Sequence, residues 1–131
     1  MTRRECICLT LLFAGCTRQP RPLEEALPAS PGEGWILTGA SPVPPENAPG
    51  MVRQLGLRRA VRASYQGAGE LQVTLYEMVT PASAFELVQK WRTEESAVHF
   101  HHERYFVLVE SGQLDTPALL SFVRLLEKQL K

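Results

Sequence analysis

Leu71-Gln72-Val73-Thr74-Leu75-Tyr76-Glu77-Met78-Val79-Thr80-Pro81-Ala82-Ser83-Ala84-Phe85-Glu86-Leu87-Val88-Gln89-Lys90-Trp91 decides how this chain is built. Its first half alternates. Leu71, Val73 and Leu75 fall on one side and Gln72 and Thr74 on the other, the two-residue period of a half-buried strand. Tyr76 and Met78 blur the polar side. In the second half Phe85, Val88 and Trp91 recur every third residue with Ala84 and Leu87 beside them, and Glu86, Gln89 and Lys90 take the outside, which predicts a helix. Thr80 supplies a cap for it, and Pro81 supplies a first helical residue whose missing N–H would have had no partner there.

Working upstream, Leu57 to Tyr65 reads as a strand with Leu57, Val61, Ala63 and Tyr65 on one side and Arg58, Arg62 and Ser64 on the other. The glycine-rich turn Gln66-Gly67-Ala68-Gly69-Glu70 joins it to the Leu71 strand as a hairpin. Before it, a short helix starting near Pro49 stops at Gly56. Trp35-Ile36-Leu37, bounded by Gly34 and Gly39, predicts an edge strand or a plug for the core.

Downstream, Val98 and Phe100 oppose Ala97, His99 and His101, and residues 104–110 form a second strand after the short connection His101-His102-Glu103. Thr116-Pro117-Ala118 starts a last helix with Leu119, Val123, Leu126 and Leu130 as its apolar stripe, thickened by Phe122. Two hairpin-helix units follow. They imply an α+β domain, a four- or five-stranded antiparallel sheet with its helices on one face. The other face is expected to carry Arg58, Arg62, Gln72, Thr74 and Tyr76.

The chain has 131 residues, enough for one domain, and 14 basic side chains balance 14 acidic ones. No block of like charge suggests nucleic-acid binding. The three cysteines, Cys6, Cys8 and Cys16, all precede the periodic region, so the domain is expected to have neither an internal disulfide nor a catalytic thiol. Arg3 and Arg4 precede a short apolar run, Cys6 to Ala14, which is well below the ~20 residues needed to span a bilayer as a helix. The run closes with Ala14-Gly15-Cys16.

Those residues resemble a bacterial lipoprotein signal peptide. The resemblance implies removal of residues 1–15, diacylation of Cys16, and a mature chain anchored by that lipid in the bacterial cell envelope, facing the periplasm or the outside. Two acyl chains anchor a protein stably. Residues 16–34, with Pro20, Pro22, Pro28 and Pro31, are expected to form an extended tether, leaving 35–131 as the folded domain.

Pro45-Glu46-Asn47, the stretch Gly56 to Val61 and the stretch Val73 to Phe85 loosely resemble an uncharacterised family of bacterial secreted proteins. That resemblance implies no particular activity.

Candidate chemistry is sparse. His99 and His101 point the same way on a strand and could serve one metal ion, although a full set needs further ligands. Arg58 and Arg62, with Arg53 and Arg59, form a basic patch near Tyr76 that suits binding of an anionic partner. Glu77 and Glu110 form a conceivable acid–base pair with nothing to bring them together, and no serine has a Gly-x-Ser-x-Gly setting. The resulting expectation is a non-catalytic binding or accessory module, without a cofactor, whose partner is an envelope protein or polymer. The alternative is a metal- or haem-binding envelope protein that uses His99 and His101.

Overall fold

The computed structural model describes residues 21–92 and 96–130. Among the described residues there are five strands: β1 (Ile36–Pro42), β2 (Leu57–Gln66), β3 (Glu70–Met78), β4 (Ala97–His102) and β5 (Tyr105–Glu110). Three α-helices accompany them, α1 (Gly50–Gly56), α2 (Pro81–Lys90) and α3 (Thr116–Gln129), with 3-10 turns at Leu23–Ala26 and Pro45–Asn47. The strands form one antiparallel sheet in the order β1-β2-β3-β5-β4. The α+β architecture and its two hairpin-helix units are as the sequence pattern predicts. No helix among the described residues is long and apolar enough to cross a membrane.

The helices do not share one face. Val61, Ala63, Tyr65, Leu71, Val73, Leu75, Val107 and Val109 form one core with Leu119, Phe122, Val123 and Leu126 of α3. Ala60, Tyr76, Met78, Phe106 and Leu108, of the opposite strand parity, form a second core with Val52 of α1 and Ala84 and Leu87 of α2. The cause lies in β3 and β5. Both are apolar on both sides at this end of the sheet, so one layer of helices would leave Tyr76, Met78 and Phe106 in water, at about 25 cal/mol per Å2 of exposed apolar area. The blurred alternation at Tyr76 and Met78 is the sequence mark of this two-sided burial.

A bulge in β2 makes a second difference. Leu57 pairs with Met78 and Arg59 with Glu77, which leaves Arg58 as the extra residue. Leu57 is therefore turned to the α2 side, away from Val61, despite having the same parity.

The segment expected to be a tether is largely part of the fold. Leu23, Ala26 and Leu27 are buried in the α3-side core, and Trp35 closes that core as a plug. The Tyr65 hydroxyl donates to the Pro28 carbonyl at 2.7 Å. Proline spacing suggests an extended chain because it reports local stiffness; it does not report that Leu23 and Leu27 find a site beneath β2. Residues 16–20, and Cys16 with them, lie outside the described residues.

Capping differs between the two longer helices. Thr80 Oγ1 accepts from the Ser83 N–H at 3.1 Å, as expected. In α3 the cap is Asp115, whose carboxylate accepts from the Ala118 N–H at 3.0 Å, so Thr116 is already helical.

All three tyrosines are held above the ordinary phenol range, Tyr65 most of all, and burial is the leading cause in each. An unfolded chain releases these protons near pH 10 while the folded one keeps them. Stability is therefore complete below about pH 10 and falls as the pH rises beyond it, because the unfolded state then binds fewer protons. Urea midpoints at pH 8 and pH 10.5 are expected to show this fall, and Tyr65→Phe is expected to reduce it. An unchanged midpoint in the parent would contradict the burial of these hydroxyls.

Candidate functional site

Helix α2 covers only part of its sheet face. The pairings Arg62↔Thr74↔Leu108↔His99 and Ser64↔Gln72↔Glu110↔Ala97 define two rows across β2, β3, β5 and β4. Arg62 and Gln72 are exposed, and Ser64 and Glu110 are half-buried. Beyond them the strand ends enclose a groove of about 710 Å3, walled by Ser64, Gln66, Gln72, Glu110 and Gln113 among others. Strand periodicity sends Ser64, Gln66, Gln72 and Glu110 to this face, and Gln113 reaches it from the β5–α3 turn. Their polarity is why no helix settles over them.

The far wall of the groove is knitted together. Ser111 Oγ donates to the Glu70 carbonyl at 2.8 Å and accepts from the Gln113 and Leu114 N–H groups, each at 3.2 Å. The Glu70 N–H donates to Gln113 Oε1 at 3.1 Å, and Gln66 Nε2 donates to Glu70 Oε1 at 3.0 Å. On the opposite rim Thr38 Oγ1 donates to the Ser64 carbonyl at 3.1 Å. These bonds tie the β2–β3 turn to the β5–α3 turn and so fix the shape of the wall in advance of any partner, which lowers the ordering cost of binding.

The predicted residues separate in space. Arg62 and Tyr76 stay together on the groove face: Tyr76 is buried at its inner end, where its phenol senses Arg62 and Glu110 after the larger effect of burial. Arg58 does not join them. It sits in the bulge beside a smaller cavity of about 360 Å3 at the other end of β2. Arg59 turns to the α3 face and pairs with Glu77 at 2.7 Å. Glu77 and Glu110 stand on opposite faces, so they make no acid–base pair. Thr74, buried beside Arg62, has no hydrogen-bond partner for its hydroxyl among the described residues, an omission that costs about 1–3 kcal/mol.

His99 and His101 share the groove face of β4, each set against a phenylalanine. The His99 ring lies 5.6 Å from that of Phe106, and His101 stands edge-on to Phe85 at 5.4 Å. His102 lies 3.4 Å from Glu103. Among the described residues, no three His, Cys, Asp or Glu side chains come together in a way that could hold a metal ion.

The serines lining the groove are Ser64, Ser96 and Ser111. Ser111 Oγ is fully engaged by the three bonds above. Ser64 is three strand spacings from β4, about 14 Å from the strand that carries the histidines. The arrangement offers donors and acceptors on a fixed, open surface, which is chemistry for recognition. Gln66, Glu70 and Gln113 were invisible as site residues because they read as turn residues. The signal was available in the topology: antiparallel pairing brings the turns 66–70 and 111–115 to one end of the sheet.

Comparison of the chain with protein-family models, with curated proteins and with solved structures finds no match.

Proposed function

We propose that the protein is a lipid-anchored cell-envelope module that binds a polar partner, an envelope protein or polymer, through the uncovered half of its sheet. The observation that carries this reading is the uncovered polar patch of exposed Arg62 and Gln72 with half-buried Ser64 and Glu110, which opens into a groove whose wall is already hydrogen-bonded into shape. The anchor is supported by the basic pair Arg3 and Arg4, the short apolar run and Ala14-Gly15-Cys16.

A photo-crosslinking side chain placed at position 72 tests the surface, with the same probe at position 120, on the outside of α3, as control. A discrete adduct is expected from 72 and not from 120. The Arg62→Glu variant is expected to weaken its formation by about tenfold or more, equivalent to 1.4 kcal/mol. Because Arg62 is exposed, folding stability should stay within about 0.5 kcal/mol of the parent. Identical adducts from both positions, or none from 72 in intact cells, would defeat the reading.

A further inference from the structure

The two ends of the sheet differ in a way that bears on how the molecule stands in the envelope. At the end opposite the groove, Arg59 Nη1 donates to the backbone carbonyl of Arg21 at 2.8 Å while its Nε donates to Glu77 Oε1 at 2.7 Å. Leu23, two residues on from Arg21, is already buried. Residues 21–23 therefore lie at this end.

Among the described residues the large apolar side chains that remain in water are Val79 and Phe85 at this end, Ile36 at the groove end and Leu120 on α3. Val79 is 45% exposed and Phe85 is 48% exposed. Val79 is held there by its N–H, which donates to the Gly56 carbonyl at 2.8 Å, and Phe85 by its ring contact with His101. Arg58 and Arg104 are exposed nearby, the second through the Met78 N–H bond to its carbonyl. Glu24, Glu46, Glu103 and the paired Glu77 share the region, so it is not a positive field. Apolar side chains flanked by arginines are nonetheless the combination that suits the headgroup boundary of a bilayer.

We infer that the Arg21 end rests on the membrane and that the groove opens away from it. The inference rests on the proposed lipid anchor at Cys16, which lies five residues before Arg21. Five residues reach at most about 18 Å when fully extended. Turning the groove onto the bilayer would lift Arg21 by the length of β2 from Arg59 to Gln66, about 23 Å at 3.3 Å per residue. The connection is too short for that orientation. Lipid headgroups thus become the partner of Val79, Phe85, Arg58 and Arg104, and the groove is presented to whatever approaches from the far side.

Single-cysteine labelling tests this directly, because the chain has no cysteine after Cys16. Glu46→Cys places a label near the Arg21 end. Gly112→Cys places one at the groove, where an added Cβ meets nothing within 4 Å. Each lipoprotein, purified from membranes, labelled and reconstituted in vesicles of phosphatidylethanolamine and phosphatidylglycerol, is measured by energy transfer to an acceptor on the bilayer surface.

The label at 46 is expected to lie closer to the bilayer than the label at 112 by about 20 Å. Equal or reversed heights in a protein whose intact mass shows acylation would overturn the orientation and leave the anchor standing. An intact mass without acyl chains would remove the anchor, and the orientation with it.

Discussion

Phe122→Ala is expected to lower the unfolding free energy by about 3–5 kcal/mol, the range for deleting a buried aromatic ring from a core. Phe122 is fully buried, and its ring stands edge-on to both Trp35 and Tyr65 with centroids 5.1 Å apart in each case. Truncation removes the transfer term and both ring contacts, and it leaves a cavity where α3, β2 and the N-terminal segment meet. Against a typical total of about 5–15 kcal/mol, that is a large share. The melting midpoint should fall by at least about 12 °C. Leu120→Ala on the outer side of the same helix, where Leu120 is 38% exposed, serves as the control and should cost far less. A loss below about 1 kcal/mol for Phe122→Ala would mean that Trp35 and Tyr65 do not pack on α3 as described.

The second large effect is expected at Gly56, which ends α1 with φ of +111°. That backbone state lies outside even the left-handed helical region, so any side chain is strained there. An added Cβ would also stand 2.5 Å from Val79 Cγ2. Val79 is stiff at χ1, and its N–H is bonded to the Gly56 carbonyl, so it cannot retreat freely. Gly56→Ala should therefore destabilise the fold by about 2–3 kcal/mol, measured as a urea midpoint shift at constant m-value. The double variant Gly56→Ala, Val79→Ala separates the two causes. It relieves the clash and leaves the strain, so partial recovery is expected. Full recovery would show that the backbone tolerates alanine and that φ contributes nothing.

Much of this architecture was legible in the sequence because it is local. The alternation of Leu71, Val73 and Leu75, the Thr80-Pro81 helix start and the glycine-rich turn at 66–70 each report a conformation decided within a few residues. What could not be read depends on partners distant in the chain. Nothing local tells Leu23 and Leu27 that they will lie beneath β2, so prolines around them read as a tether. The bulge at Arg58 was hidden because its parity only makes sense once Leu57 is set against Met78. The site was half legible for the same reason. Arg62, Gln72 and Tyr76 follow from strand parity, whereas Gln66, Glu70 and Gln113 belong to the groove through the meeting of two turns more than forty residues apart.

The clasp between residues 23–35 and α3 has a kinetic consequence. Gln129 donates a side-chain hydrogen bond to the Pro31 carbonyl, and Leu23, Leu27 and Trp35 share one apolar cluster with Leu119, Phe122 and Leu126. Residues 23–35 can meet β1 and β2 before α3 exists, but their apolar cluster is completed only by that last helix. Native contacts of such long sequence separation form late, because the loop must close before they stabilise anything. Residues 23–35 are therefore fully locked only when residues 116–130 have been delivered. Order of assembly is in this way written into the placement of a single helix.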